Sequence, residues 1–224
     1  MTFIHELLQR QELVAITNKK GRTYTTPIGP LESVTTVIGR SLDKKGLKKW
    51  RENIGENAAD QILLQSQVRG REVHDLCERY VMNFSDWRNK AMPTNLETFQ
   101  QFKPILDQSV ETVYGLELPL WSKFLQTAGQ ADLVVQWNGK KAVVDYKTSR
   151  KRKTEEQCLG YMIQGTTYAC MVMERYQIDI PLVVVIVAVD GEKTPTIYTV
   201  PTSKYFKQME KIFITNRKSH EVVY

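Results

Sequence analysis

The 224-residue sequence predicts an α/β fold in which a mixed central β-sheet is flanked by helices, and three observations carry that expectation. Helix formers dominate the first half of the chain. After about residue 115 they give way to short runs rich in Val, Ile and aromatic residues, and one helical stretch then separates the first three such runs from the last two. The resulting order is helices, three strands, a helix, two strands and a helix, which implies α/β architecture.

Taken in order, 42–54 and 56–82 are predicted helices, with Ile62, Leu63, Val73, Leu76 and Tyr80 near helical spacing, and 96–113 is a third after Pro93. A first strand is expected over 116–125. Alternating apolar runs at 131–137 and 140–146 flank Asn138-Gly139, the preferred two-residue type I′ hairpin connection. A helix follows over 154–176, then a buried strand at 182–189, nearly all Val and Ile, a short strand at 196–200 and a last helix over 203–216. Nothing repeats at a solenoid period and no low-complexity linker divides the chain. A single domain over 1–224 is therefore expected, helical over about 1–114 and sheet-based over about 115–224.

With 42% hydrophobic and 25% charged residues the chain can bury a sizeable core. Its longest apolar run, 181–189, falls short of the roughly 20 residues a membrane helix needs, so no membrane partner is expected. Cys77, Cys158 and Cys170 match no zinc spacing and read as reduced thiols. The amino terminus carries Glu6 and Glu12 and shows neither a signal-peptide pattern nor the Arg-rich, acid-poor character of a transit peptide, although a presequence could have been removed. The formal charge is +6, and part of the excess sits in Arg150-Lys151-Arg152-Lys153, a run that by itself reads as a solvated loop and, placed just after Asp145-Tyr146-Lys147, suits phosphates.

The hairpin carries the chemistry. Pairing Trp137 with Lys140 and counting back along both strands sets Asp132 opposite Asp145, and residues so opposed have Cβ atoms about 4.5–5.5 Å apart. Like charges at that distance repel. Lys147, two residues beyond Asp145, points to the same face. Two carboxylates beside an ammonium suit a hard divalent cation, Mg²⁺ or Mn²⁺, with phosphodiester hydrolysis as the matching reaction. The competing reading is an ordinary surface hairpin with weakly coupled, solvated charges.

Gly129-Gln130-Ala131-Asp132 and Asp145-Tyr146-Lys147-Thr148 resemble the G-x-x-D and D-x-K elements of the PD-(D/E)XK nuclease superfamily, in its RecB-like branch. Arg69-Gly70-Arg71-Glu72-Val73-His74 resembles the helical histidine element of that branch and Gln164-Gly165-Thr166-Thr167-Tyr168 its Q-x-x-x-Y element, in the right order. Tyr24-Thr25-Thr26-Pro27, Ser33-Val34-Thr35-Thr36, Trp50-Arg51 and His74-Asp75-Leu76-Cys77-Glu78 are similar to the mitochondrial genome-maintenance exonuclease and its bacteriophage relatives, so the resemblance spans about residues 23–215.

That resemblance implies a restriction-endonuclease-like core, with Asp132, Asp145 and Lys147 catalytic and His74, Asp132, Asp145 and the Tyr146 carbonyl toward the metal. His74 alone reads as readily as a satisfied core-edge histidine, and a nitrogen ligand would favour Mn²⁺. Glu78, one turn on, could orient the ring. Glu117 is either a further ligand through water or a strand-face charge. Gln164 and Tyr168 share a helix face; a competing Q-x-x-x-Y at Gln157 and Tyr161 leaves that motif ambiguous, and the later pair is preferred because the apolar run Ala169-Cys170-Met171-Val172-Met173 follows it. Thr148, Ser149, Arg150, Lys151, Arg152 and Lys153 are the expected DNA contacts, with turn capping the other role for the two hydroxyls. Trp50 and Tyr80 could stack unpaired bases.

The expected activity is a divalent-metal-dependent exodeoxyribonuclease on single-stranded DNA with a free end, acting in replication, repair or recombination alongside proteins of those processes. The alternatives are a non-catalytic nucleic-acid-binding module and a nuclease for flapped or branched DNA. A cytoplasmic protein of bacteriophage or bacterial origin is expected over one of the mitochondrial matrix.

Overall fold

The computed structural model describes residues 2–42, 45–88 and 90–221, with the backbone alone for 218–221. Four short strands open the chain: β1 (Ile4–His5), β2 (Val14–Asn18), β3 (Gly21–Thr26) and β4 (Gly29–Ser33). They were not among the expected elements, because Thr, Gly and Arg interrupt any apolar alternation and β2 is exposed along its whole length. Helices α1 (Val34–Ser41), α2 (Lys45–Ile54), α3 (Glu56–Val81) and α4 (Pro93–Ser109) follow. Within the expected helix 42–54, Asp43 and Lys44 lie outside the described residues. The Ser33-Val34-Thr35-Thr36 stretch is the N-terminus of α1: the Ser33 hydroxyl accepts the Thr36 N–H at 3.1 Å.

The rest of the chain supplies β5 (Val110–Ser122), β6 (Thr127–Trp137), β7 (Lys140–Ser149), α5 (Leu159–Tyr176), β8 (Leu182–Val189), β9 (Thr196–Pro201) and α6 (Phe206–Glu221). The third helix therefore ends earlier than expected, and β5 starts at Val110, because Val110 and Val113 pair with Trp137 and Val135 of β6. The sheet runs β2-β3-β4-β6-β7-β8-β9, with β5 also on β6 and β1 on β5. It is mixed: β6–β7 and β8–β9 are antiparallel, β7–β8 parallel. One face packs Val143, Val183, Val185 and Val187 with Val34, Met162, Met171 and Phe213 of α1, α5 and α6. The opposite face packs Ala142, Val144, Val184 and Ile186 with Val73, Leu76, Phe99 and Phe102 of α3 and α4.

One irregularity places the site. Leu116 joins the α3–α4 core and Leu118 the opposite one, although residues two apart on a regular strand share a face. Glu117 between them has a left-handed φ of 41°, which turns the strand over. Facing it, Ala131 and Leu133 of β6 also belong to opposite cores. The ladders reflect the kink: β5 and β6 pair at Leu116↔Leu133 and Leu118↔Ala131, and β6–β7 pairing ends at Leu133↔Val144. Asp132 thus sits where three strands part.

No helix among the described residues is long and apolar enough to cross a membrane. Tyr80 is buried among Phe3, Trp87 and Phe99 with its hydroxyl on Asp107, which takes it away from stacking bases. Trp50 is half-buried on α2, a helix that buries none of its residues fully.

Candidate active site

The hairpin forms with the expected register, Trp137 opposite Lys140 through Leu133 opposite Val144, but its ladder stops one residue short of the two aspartates. There the Asp132 carboxylate takes the place of a backbone acceptor: its Oδ2 receives the Tyr146 N–H at 2.9 Å. A carboxylate thus satisfies a buried donor that the splayed strands leave without a carbonyl.

His74, on α3, comes down on the same point. Its Nε2 lies 2.8 Å from the Tyr146 carbonyl oxygen, which can only accept, so Nε2 carries a hydrogen. The other ring nitrogen faces carboxylates, with Nδ1 3.5 Å from Asp132 Oδ2 and 3.7 Å from Glu117 Oε1. His74, Glu117 and Asp132 each offer a ligand atom, all within 4.8 Å of one another. Burial disfavours a charged ring there, but Asp132 and Glu117 outweigh it against the opposition of Lys147 and raise the His74 pKa to about 9.

Asp145 lies beside this group and is 1% exposed. Lys147 Nζ is 2.6 Å from both of its carboxylate oxygens and is hydrogen-bonded to Oδ1, which also accepts Gln164 Nε2 at 3.0 Å. Oδ2 is buried and takes no hydrogen bond. Burial raises the Asp145 pKa; Lys147 opposes the shift and Asp132 adds to it. For Lys147 burial works against the ammonium, but Asp145 and Asp132 prevail and hold its pKa above the ordinary value.

The donor set fits a hard or borderline divalent ion, with two carboxylates and an imidazole converging and the buried Asp145 carboxylate, paired with Lys147, alongside. The membership differs from expectation in two respects. Glu117 belongs to the converging trio and Asp145 does not, because Asp145 is drawn to Lys147 and Gln164. The Tyr146 carbonyl, expected as a ligand, accepts from His74 instead, so it fixes the ring with Nδ1 toward the carboxylates. Sequence alone left Glu117 undecided, since its left-handed backbone has no signature in a Leu-Glu-Leu run.

On α5, Gln164 reaches Asp145 while Gln157 is exposed and bonded to Thr154, which distinguishes the two candidate motifs. Tyr168 is buried against Gly129: a Cβ at 129 would lie 2.7 Å from its hydroxyl oxygen. The glycine of the G-x-x-D element is thus required by the tyrosine of the Q-x-x-x-Y element. Glu78 is half-buried, its pKa raised by burial and then by Glu117 and Asp75, and no bond to His74 is seen.

The basic run is less uniform than expected. Ser149 Oγ bonds the backbone carbonyl and N–H of Lys151, closing a turn. Arg152 is paired through two nitrogens with Glu192, and Lys153 donates to the Tyr161 hydroxyl at 2.8 Å. Arg150 and Lys151 are exposed. Thr148, Ser149 and Arg150 form one wall of a cleft of about 440 Å³ whose other walls include Ser66 and Arg69 of α3, Thr94 of α4 and Asp190. Arg69 is itself paired with Asp190 and bonded to Thr98.

At the interruption of the sheet, His, Glu and Asp that could hold a metal ion thus converge beside a buried Asp–Lys pair. The chain belongs to the PD-(D/E)XK nuclease superfamily, whose family profile matches residues 2–220. Among curated proteins none matches the chain. Among solved structures, it is similar to that of a Eubacterium rectale protein named "Putative exonuclease", at 13% identity and a TM-score of 0.43. The similarity covers 67% of this chain and 65% of that one, less than two thirds of the latter's length.

Proposed function

We propose that the protein is a divalent-metal-dependent exodeoxyribonuclease of the RecB-like type, related to the mitochondrial and bacteriophage exonucleases, which degrades single-stranded DNA from a free end during replication, repair or recombination. The observation that supports it most is the convergence of His74, Glu117 and Asp132 within 4.8 Å beside the buried Asp145–Lys147 pair.

His74 Nδ1, Glu117 and Asp132 would hold Mg²⁺ or Mn²⁺, with Asp145 Oδ2 the next acceptor, and the nitrogen donor favours Mn²⁺. Such an ion supplies Lewis acidity toward a phosphoryl oxygen and a lowered pKa for water. The chain's own groups do the rest. Lys147 enters as an ammonium, because Asp145 and Asp132 hold its proton, so it orients the attacking water and stabilises charge on the phosphate rather than serving as a base. Gln164 fixes Asp145, and the Tyr146 carbonyl fixes the His74 ring.

The single-strand reading draws on the helical stretches that precede His74 in the chain. Before Val73, α3 buries only Ala59, and α2 buries nothing. Leu47, Ile54, Leu64 and Val68 on these helices are between 38% and 59% exposed, an apolar surface that suits unstacked bases. Duplex DNA presents few such faces. The Arg150–Lys151 stretch at the end of β7 would meet the backbone phosphates.

The test is degradation of one oligonucleotide in linear and in covalently closed form with Mn²⁺ and then with chelator. Shortening of the linear strand alone, abolished by chelator, is expected. Equal cutting of the circle would replace the exonuclease by an endonuclease, and binding without shortening of either would refute the enzymatic reading.

A further inference from the structure

Tyr161 lies three residues before Gln164 on α5, and its ring connects two lysines. Lys147 Nζ is 5.1 Å from the ring centroid. Lys153 Nζ lies 4.9 Å from the same centroid and also donates a hydrogen bond to the ring's hydroxyl at 2.8 Å. Lys153 is held through its backbone as well, where the carbonyl oxygen accepts the Tyr198 hydroxyl. A lysine ammonium on a flexible four-carbon stem loses its freedom only when contacts fix it from more than one direction. Asp145 fixes Lys147 from one side at 2.6 Å, and the Tyr161 ring meets it from another.

Resting on the nuclease reading above, we propose that Tyr161 is a positioning residue. Its ring face holds the Lys147 ammonium against Asp145, and its hydroxyl ties down Lys153. The lysine at the reacting phosphate and a lysine of the DNA-contacting run are thereby set at a fixed separation by one side chain. Phe at this position keeps the ring beside both lysines and loses only the hydrogen bond to Lys153; Leu loses the ring as well. The two roles therefore divide between kcat, which depends on Lys147, and KM for DNA, which depends on Lys153.

The experiment is steady-state degradation of an end-labelled single strand with Mn²⁺ by the full chain, comparing wild type with Tyr161→Leu, Tyr161→Phe and Lys153→Met. Tyr161→Leu should lower kcat about tenfold, in keeping with a largely desolvated cation–π contact. Tyr161→Phe should rescue kcat to within about threefold of wild type while its KM stays raised to match Lys153→Met. A Tyr161→Leu kcat within twofold of wild type, or a Tyr161→Phe kcat as low as that of Tyr161→Leu, overturns the proposal. A second readout does not depend on turnover or on Tyr161→Leu folding: labelling by an amine-reactive reagent, read by peptide mass spectrometry. Tyr161→Phe should expose Lys153 to the reagent and leave Lys147 as protected as in wild type; an equal rise at both, or at neither, overturns it. A wild-type chain that cleaves nothing with Mn²⁺ counts against the nuclease reading, and the labelling pattern still decides the positioning.

Discussion

Glu117 gives the sharpest test of the site, because one residue carries both a strained backbone and a candidate metal ligand. At φ 41° a non-glycine residue is disfavoured by roughly 1–2 kcal/mol, whereas in ordinary extended backbone glycine is the worse choice by about 0.5–1 kcal/mol. Glu117→Ala and Glu117→Gly remove the same carboxylate, so their difference isolates the backbone. If the left-handed conformation is imposed by the fold, the glycine variant should be more stable than the alanine variant by about 1 kcal/mol, against the usual strand preference. Urea denaturation in chelator, with the slope held common, measures this. Repeating it with Mn²⁺ isolates the ligand: ion at a hundredfold excess over its dissociation constant stabilises a binding-competent fold by about 2.7 kcal/mol, and both variants should lose most of that gain. Alanine as stable as glycine would refute the strain, and undiminished Mn²⁺ stabilisation would remove Glu117 from the ligand set.

Other outcomes follow from the same geometry. Lys147→Ala should abolish turnover while Mn²⁺ binding by calorimetry and DNA binding by anisotropy remain measurable; cleavage at the wild-type rate would show that the ammonium has no part in the reaction. His74 has a folded pKa near 9 against about 6.5 unfolded, so its contribution is fully present below pH 6.5 and is lost as pH rises through 9. Chelated protein should lose on the order of 3 kcal/mol over that window, and His74→Gln should flatten the profile; an unchanged profile in the variant would place the titration elsewhere. Glu192 neutralises Arg152, so Glu192→Gln should tighten single-stranded DNA and steepen the salt dependence of log K by about 0.7. No change in slope would mean that Arg152 never reaches a phosphate.

How much of this was legible follows from where the signals come from. The strands β6 to β8 and helix α5 are strongly patterned because both faces of the sheet are buried there, and a continuous Val-Ile run has few other interpretations. The Asn138-Gly139 turn fixed the register of the hairpin. Strands β2 to β4 left no such mark, since β2 is exposed along its whole length and Gly, Pro, Thr and Arg break the alternation in β3 and β4 around a few buried residues such as Tyr24 and Leu31. Of the motif residues, Gln164 reaches Asp145, and His74 meets the Tyr146 carbonyl that the resemblance had set toward the metal. Glu117 was harder to read: strand alternation assigns it a face, and only the reversed backbone between Leu116 and Leu118 brings it to Asp132 and His74.

That reversal also explains why carboxylates can occupy the middle of a buried sheet. Were β5, β6 and β7 regular, the N–H of Tyr146 would pair with a β6 carbonyl and an aspartate opposite another aspartate would face repulsion with nothing between them. Turning β5 and β6 over at Glu117 and Asp132 interrupts the β5–β6 ladder at one level only, between Leu116↔Leu133 and Leu118↔Ala131, whereas the β6–β7 ladder ends at Leu133↔Val144. The opening leaves one donor without a partner, and the Asp132 carboxylate takes it. The Asp132 carboxylate, the Glu117 carboxylate and His74 Nδ1 then surround the gap. Strain in the strand and repulsion among the carboxylates both oppose folding, and a cation relieves the second without touching the first. Metal affinity and fold stability are thus linked through the same three residues, so a change that relaxes the kink should weaken the ion even where no ligand is altered.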